Sequence, residues 1–357
     1  MNVSSFPISD HYDGIRFHNP WIKPLPASFP DPSSPHQPVP DQRAPGRSGR
    51  GLLPILRWRL GGTRSAWPKE IVDPPPAGDP RAPPPANGAT LTFIGHATFL
   101  IRLPGLTILT DPIFSARCSP VSWAGPKRAR PPGRSLDALP PIDLVLISHN
   151  HYDHLDLPSL RAIVSRDAPA FVTPLGNAHH LAKAGATRIT ELDWWQSHRI
   201  GDTTLTATPA RHFSSRTLKD SGLSLWSGFM IEQPPMRVLF AGDSGDGPHW
   251  TEIGRRLGAP DLALLPIGAY DPRSIMAPVH MNPEEALAAH LSIGAHRSVG
   301  MHFGTFQLTD EPIDEPPQRL SAAVRAAGLA SQAFTTLAHG ETRTFTASSS
   351  PSRHGTG

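Results

Sequence analysis

The sequence predicts a layered α/β fold, of the α+β kind in which sheets lie inside and helices outside. Three observations carry this expectation. Short apolar runs bounded by Gly, Pro or polar residues recur from residue 89 to 346, helical stretches fall between them, and several of the runs end in a polar or metal-capable residue. With 357 residues, 38% of them hydrophobic, the chain can bury a full core in one large domain or two smaller ones.

In chain order, the first strands come from "ATLTFIGHATFLIRLPGLTILTDP", where β-branched and aromatic residues flank Pro104-Gly105 and predict a hairpin. The runs "IDLVLISH", "APAFVTP", "TTLTATPARH", "GFMIEQPPMRVLFAGD", "DLALLPIG" and "HRSVGMHFG" supply further strands. Helices are expected after Leu157-Pro158, near Asn177 to Ala184, and over "NPEEALAAHLS". In the last of these, Asn282 can cap, Pro283 suits the first turn and Glu285 completes a capping box. Ahead of the strands, residues 1–88 hold 19 of the 43 prolines and read as an extension that wraps or links. The catalytic domain is placed at residues 89–346, and "ASSSPSRHGTG", residues 347–357, reads as a disordered tail.

Within the extension, residues 50–64 alternate Leu52, Leu53, Ile55, Leu56, Trp58 and Leu60 with Arg50, Arg57, Arg59 and Arg64. This pattern suits an interfacial anchor, with apolar side chains in the acyl boundary and guanidinium groups on lipid phosphate. It equally suits leucines packed on the body of the protein, since Pro54 breaks any long amphipathic helix. The start of the chain has neither the basic region nor the apolar region of a secretory signal, and no window reaches the length of a membrane span. Lys and Arg total 33 against 30 acidic residues, which leaves no broad nucleic-acid footprint. The expected setting is the cytoplasm, with peripheral contact at the inner face of the membrane.

The chemistry concentrates in "SHNHYDHLD", directly after Leu144-Val145-Leu146-Ile147. Burying so many titratable groups is costly unless something pairs with them, and a metal ion does so. Cys118 is the one cysteine, so any metal here is held by imidazole and carboxylate. His149 and His151, two apart in an extended segment, point the same way toward one ion. Asp153 and His154, after the turn into a helix, aim at a second. His212, Asp243 and His302 follow at later strand ends. The count closes with His149, His151, His212 and Asp243 on one ion, and Asp153, His154, Asp243 and His302 on the other, Asp243 bridging. Zinc suits such nitrogen and oxygen ligands, and iron or manganese also fits. His96 in "IGHAT" reads as support behind these ligands. Asp193-Trp194-Trp195 reads as packing. The run Lys127, Arg128, Arg130 and Arg134 reads as a solvated loop or a contact for a substrate headgroup.

The blocks "LTDPIF", "LPPIDLVLISHNHYDHLD", "ELDWW", "AGDSG", "PIGAY", "NPEEA", "HFGTF" and "HGE" give the chain, from about Phe93 to Glu341, a resemblance to the metallo-β-lactamase superfamily. Within it, the sequence is similar to N-acyl-phosphatidylethanolamine-hydrolysing phospholipase D and its bacterial relatives. The resemblance implies a four-layer αβ/βα sandwich with the metals at the edge of the two sheets. It carries the family's ligands onto His149, His151, Asp153, His154, His212, Asp243 and His302. It also gives His280 a catalytic role, and it makes Asp111 an aspartate needed for activity, read as support for the ligands. Tyr152 either contacts substrate or packs its ring beside the loop, and Trp123 falls on the substrate side. Ser122-Trp123 and Pro278-Val279 depart from the family's residues there.

The implied reaction is phospholipase D-type release of an N-acylethanolamine and phosphatidic acid, using two divalent ions that activate water. In it, Asp153 orients the nucleophile and takes its proton, while His280 assists the leaving oxygen. A lactonase or carboxylic ester hydrolase is the second reading. A nucleic-acid phosphodiesterase and a non-catalytic metal-binding scaffold complete the set. The expected partner is a phospholipid at a membrane surface rather than nucleic acid, and a homodimer follows by analogy.

Overall fold

The computed structural model describes residues 6–21, 58, 61 and 64–348. The expected hairpin forms: β1 (Gly88–Gly95), β2 (Thr98–Leu103) and β3 (Leu106–Thr110) pair antiparallel, and Gly105, with φ 74°, makes the turn. From β3 the sheet continues parallel through β4 (Leu144–Leu146), β5 (Ala170–Pro174) and β6 (Ile189–Leu192). The second sheet starts antiparallel with β7 (Ser197–Ile200), β8 (Thr203–Thr208), β9 (Gly228–Gln233) and β10 (Met236–Phe240). It then runs parallel through β11 (Leu262–Pro266), β12 (Ser298–Met301) and β13 (Phe334–Thr335). Last, β14 (Thr342–Thr346) returns to β1, so each sheet has seven strands.

Alternation along the strands makes the four layers. In β4, Leu144 and Leu146 face the second sheet, while Val145 and the following Ile147 face the helices α1 (Leu157–Asp167) and α2 (Ala178–Lys183). Both faces are covered, which is why the strand reads as an unbroken apolar run. The second sheet carries α3 (His249–Leu257), then, beyond the short α4 (Arg273–Met276), α5 (Pro283–Ile293) and α6 (Glu315–Ala326). The capping box of α5 forms as its residues dictate, with Asn282 accepting from the Glu285 amide and the Glu285 carboxylate accepting from the Asn282 amide. Among the described residues no helix is long and apolar enough to cross a membrane.

The described parts of residues 1–88 pack on the body. Tyr12 and Phe17 join Trp194, Leu225 and Trp226 in one buried cluster, which gives the Asp193-Trp194-Trp195 doublet its packing role. From the segment 50–64, Trp58 Nε1 donates to Asp310 Oδ2 at 2.5 Å and Arg64 Nε lies 3.3 Å from Asp310 Oδ1, so these two face protein. Except for Gly61, the rest of the expected anchor lies outside the described residues. At the other end, Ala347 and Ser348 of the expected disordered tail are tied to Asn87 and Asp261, and residues 349–357 lie outside the described residues.

His11 latches the N-terminal segment: Nε2 sits 2.7 Å from Asp193 Oδ1 and Nδ1 2.6 Å from Asp10 Oδ1. Burial alone would lower its pKa, but Asp193 and Asp10 outweigh it and raise the value above the ordinary 6.5. This contribution to stability is therefore complete below the unfolded-state pKa and fades as pH rises through the higher folded one. Melting temperature should fall as pH rises above the ordinary histidine value of 6.5, and His11→Gln should flatten that fall. Calorimetry of the two proteins across the range checks it.

Candidate metal centre

The site residues sit at strand ends. His96 follows β1, Asp111 follows β3, the H-x-H-x-D-H motif follows β4, His212 follows β8, Asp243 follows β10 and His302 follows β12. Gly242, at φ 61°, lets the Asp243 loop approach closely, since a Cβ there would lie 2.8 Å from the Ser148 side chain. His96, Asp111 and His302 themselves hold left-handed φ values of 57°, 33° and 62°, a conformation side chains adopt at a cost that functional sites often carry.

The seven expected ligands converge as two groups. His149 Nε2, His151 Nδ1 and His212 Nε2 face one another, at 2.9 Å between the first two and 3.2 Å between the last two. His154 Nε2 and His302 Nε2 each lie 3.4 Å from Asp153 Oδ2. Between the groups stands Asp243, whose Oδ2 is 3.0 Å from His302 Nε2, 3.2 Å from His154 Nε2, 3.7 Å from His212 Nε2 and 3.9 Å from His149 Nε2.

Hydrogen bonds behind the ligands decide which nitrogen faces inward. Asp111 accepts from His154 Nδ1 at 2.7 Å and from the Ser148 hydroxyl at 2.5 Å, and that hydroxyl accepts from His149 Nδ1 at 2.9 Å. His212 Nδ1 donates to the Val279 carbonyl at 3.0 Å. In all three rings the hydrogen bond at Nδ1 turns Nε2 toward the centre. His96 Nε2 is 2.8 Å from Asp153 Oδ2.

These residues fit a metal. His154 Nε2, His302 Nε2 and Asp243 Oδ1 are buried without a hydrogen-bond partner, and orphaned ligand atoms are what a cation would satisfy. Burial holds His149 well below its usual range, His151 at about 3 and His212 at about 4, so these imidazoles are neutral, as ligation requires. Burial also disfavours charge on His154 and His302, but Asp243 and Asp153 prevail, raising His302 to about 9 and His154 well above 6.5. The two buried carboxylates demand positive charge nearby.

His280 stands at the mouth, its Nδ1 4.0 Å from Asp243 Oδ2 and its side chain 12% exposed, with burial keeping it neutral. Tyr152 donates from its hydroxyl to the Arg216 carbonyl at 3.1 Å, and the Arg216 guanidinium lies 3.9 Å over its ring. Trp123 is 79% exposed on the loop between β3 and β4. The basic run near it is neither a solvated loop nor a headgroup contact through most of its members. Arg128, Arg130 and Arg134 all spend guanidinium donors on backbone carbonyls, and Arg130 also pairs with Asp73.

Arg216 is a residue sequence reasoning missed. From Nη1 it donates to the carbonyls of Asn150 and Leu155 at 2.8 Å each, clamping both ends of the ligand loop. Arg216→Ala should cost about 2–3 kcal/mol, the typical worth of buried charge-assisted hydrogen bonds. Arg216→Lys should not restore it, because an ammonium cannot reproduce the planar guanidinium's fork and stacking. Urea unfolding of the three proteins checks this.

A sequence model of the beta-lactamase superfamily domain matches residues 107–303. The chain belongs to that superfamily. Over 243 residues it is 44% identical to an uncharacterized protein of Mycobacterium tuberculosis, a match covering 67% of this chain and 64% of that one, so it spans less than two thirds of that relative. It is 38% identical over 268 residues to N-acyl-phosphatidylethanolamine-hydrolyzing phospholipase D 1 of Caenorhabditis elegans, covering 71% of this chain and 75% of the relative. Among solved structures, a metallo hydrolase of Ignicoccus hospitalis aligns with a TM-score of 0.54 at 27% identity, over 72% of this chain and 98% of the other. The superfamily's fold agrees with the two facing sheets and their outer helices.

Proposed function

We propose that the chain is a metal-dependent hydrolase with two metal positions, acting as a phospholipase D-type phosphodiesterase on N-acyl-phosphatidylethanolamine. The observation that carries the two-position reading is Asp243, one carboxylate oxygen within 3.0–3.9 Å of imidazole nitrogens from both ligand groups. The identity to the nematode phospholipase supports the substrate class. His149, His151 and His212 would hold one ion, Asp153, His154 and His302 the other, and Asp243 both. Divalent ions there, with zinc the best match to these ligands, make water a nucleophile near neutral pH and stabilise charge on phosphoryl oxygens.

The side chains do the rest. Asp153, fixed through Oδ2 by His96, orients the attacking water and accepts its proton. The water oxygen bonds to phosphorus as the bond from phosphorus to the N-acylethanolamine oxygen breaks, and the proton taken up by Asp153 ends on that leaving oxygen, giving the alcohol and phosphatidic acid. His280, neutral and at the mouth, offers its ring to the phosphoryl or leaving oxygen. The lipid lies at a membrane surface, where Tyr152 and Trp123 meet it on the substrate side.

Elemental analysis of the purified protein, paired with a panel of substrates, tests the reading. Vesicles of N-acyl-phosphatidylethanolamine should release N-acylethanolamine only when metal is supplied. Turnover of a lactone or carboxylic ester with inert lipid would replace the phosphodiesterase reading with the second one.

A further inference from the structure

The superfamily match begins at residue 107, yet one ligand is braced from the opposite end of the chain. Asn19, 7% exposed, donates from Nδ2 to the His212 carbonyl at 2.9 Å. His212 is thus held at two points, its backbone by Asn19 and its ring by the Val279 carbonyl. Together these aim Nε2 toward His151 Nδ1 and Asp243 Oδ2. The amide is itself delivered by a fixed seat. Trp21 stacks on Trp194 and on His249, at 5.5 and 5.0 Å between ring centres. The Phe17 amide donates to the Gly222 carbonyl at 2.8 Å, and the His18 amide to the His11 carbonyl at 2.9 Å. Removing the Asn19 donor would leave a buried carbonyl unpaired, and that group would move to find another partner.

We infer that Asn19 is a positioning residue of the metal centre, and that residues 6–21 are a working part of the site. The inference rests on His212 being a metal ligand. Asn19 touches one of the two ligand groups, so its loss should be felt there and not at the group of Asp153, His154 and His302.

The test uses the full chain, stripped with chelator and titrated with zinc. Asn19→Leu removes the donor at nearly constant volume, and Asn19→Ala serves as a second variant if the first does not fold. Loss of an outer hydrogen bond to a ligand typically weakens metal binding about 10–100-fold. One zinc equivalent should therefore weaken about 10-fold or more, with the other unchanged. Wild-type affinity for both equivalents in a folded variant overturns the inference and leaves the site reading intact. Equal weakening of both, in step with a lower melting temperature of the metal-free protein, also overturns it, because that is the signature of a general structural role. A wild-type protein that binds no zinc overturns both readings together.

Discussion

Asp243→Asn is expected to strip both proposed metal positions and to abolish turnover. The carboxylate is 3% exposed, and its Oδ2 approaches four imidazoles drawn from both ligand groups, so its loss reaches both groups at once. Asparagine keeps the shape and removes the charge. Neutral His149, His151 and His212 supply no negative charge of their own, and Asp153 alone would have to balance two divalent ions. Loss of an outer partner already costs about 10–100-fold in metal affinity, and loss of a shared ligand should exceed that. The fold should survive, because Asp243 sits in a loop between β10 and α3 and the isosteric amide fills the same space. Elemental analysis after dialysis, alongside rates on N-acyl-phosphatidylethanolamine vesicles, checks the prediction. A variant that retains two ions and the normal rate would remove Asp243 from the centre.

The seven converging residues were legible because their signal is local. Titratable groups packed against the apolar run 144–147 have few explanations other than a metal, and the later ligands each follow an apolar run of their own. What the sequence hid is long-range or disguised. Arg216 and Asn19 act on backbone carbonyls, which have no residue signature, from 61 and 193 positions away. Arginines 128, 130 and 134 read as a solvated loop or a headgroup contact because five guanidinium donors suit water and phosphates as well as backbone carbonyls. The strand β14 shows one buried apolar residue, Phe345, and so has no alternation to read. In α6 the pair Pro316-Pro317 resembles a breaker, yet both prolines stand in the first turn, where no amide hydrogen is needed. Ser148 was in plain view beside His149, and the signal that could have found it is a hydroxyl directly preceding a ligand.

Asp111 offers the second large effect, and of a different kind from Asp243. It is fully buried, and its carboxylate serves one imidazole from each ligand group, His154 directly and His149 through the Ser148 hydroxyl. Its other oxygen accepts from the Ser148 amide at 2.7 Å. Burial pushes its pKa above the ordinary 3.8, and the hydrogen bonds from His154 and Ser148 oppose that rise without cancelling it. Asp111→Ala leaves three donors unpaired, and breaking a buried charged cluster in this way costs about 3–5 kcal/mol. Asp111→Asn is the sharper probe. Asparagine tolerates the left-handed φ of 33° nearly as well as aspartate, but it has one acceptor oxygen where the carboxylate uses two, Oδ1 for the Ser148 amide and Oδ2 for the Ser148 hydroxyl and His154 Nδ1, so its NH2 must face a donor on one side or the other. Whichever way the amide turns, the charge is gone, and His154 Nδ1 faces at best a neutral acceptor in place of a carboxylate. Both zinc equivalents should weaken by about 10–100-fold in Asp111→Asn, whereas loss of the Asn19 donor weakens one. Zinc titration of the two variants side by side separates a brace shared by both ligand groups from a brace on one. Undisturbed binding in Asp111→Asn would mean that the imidazole tautomers are fixed by the metals rather than by the protein.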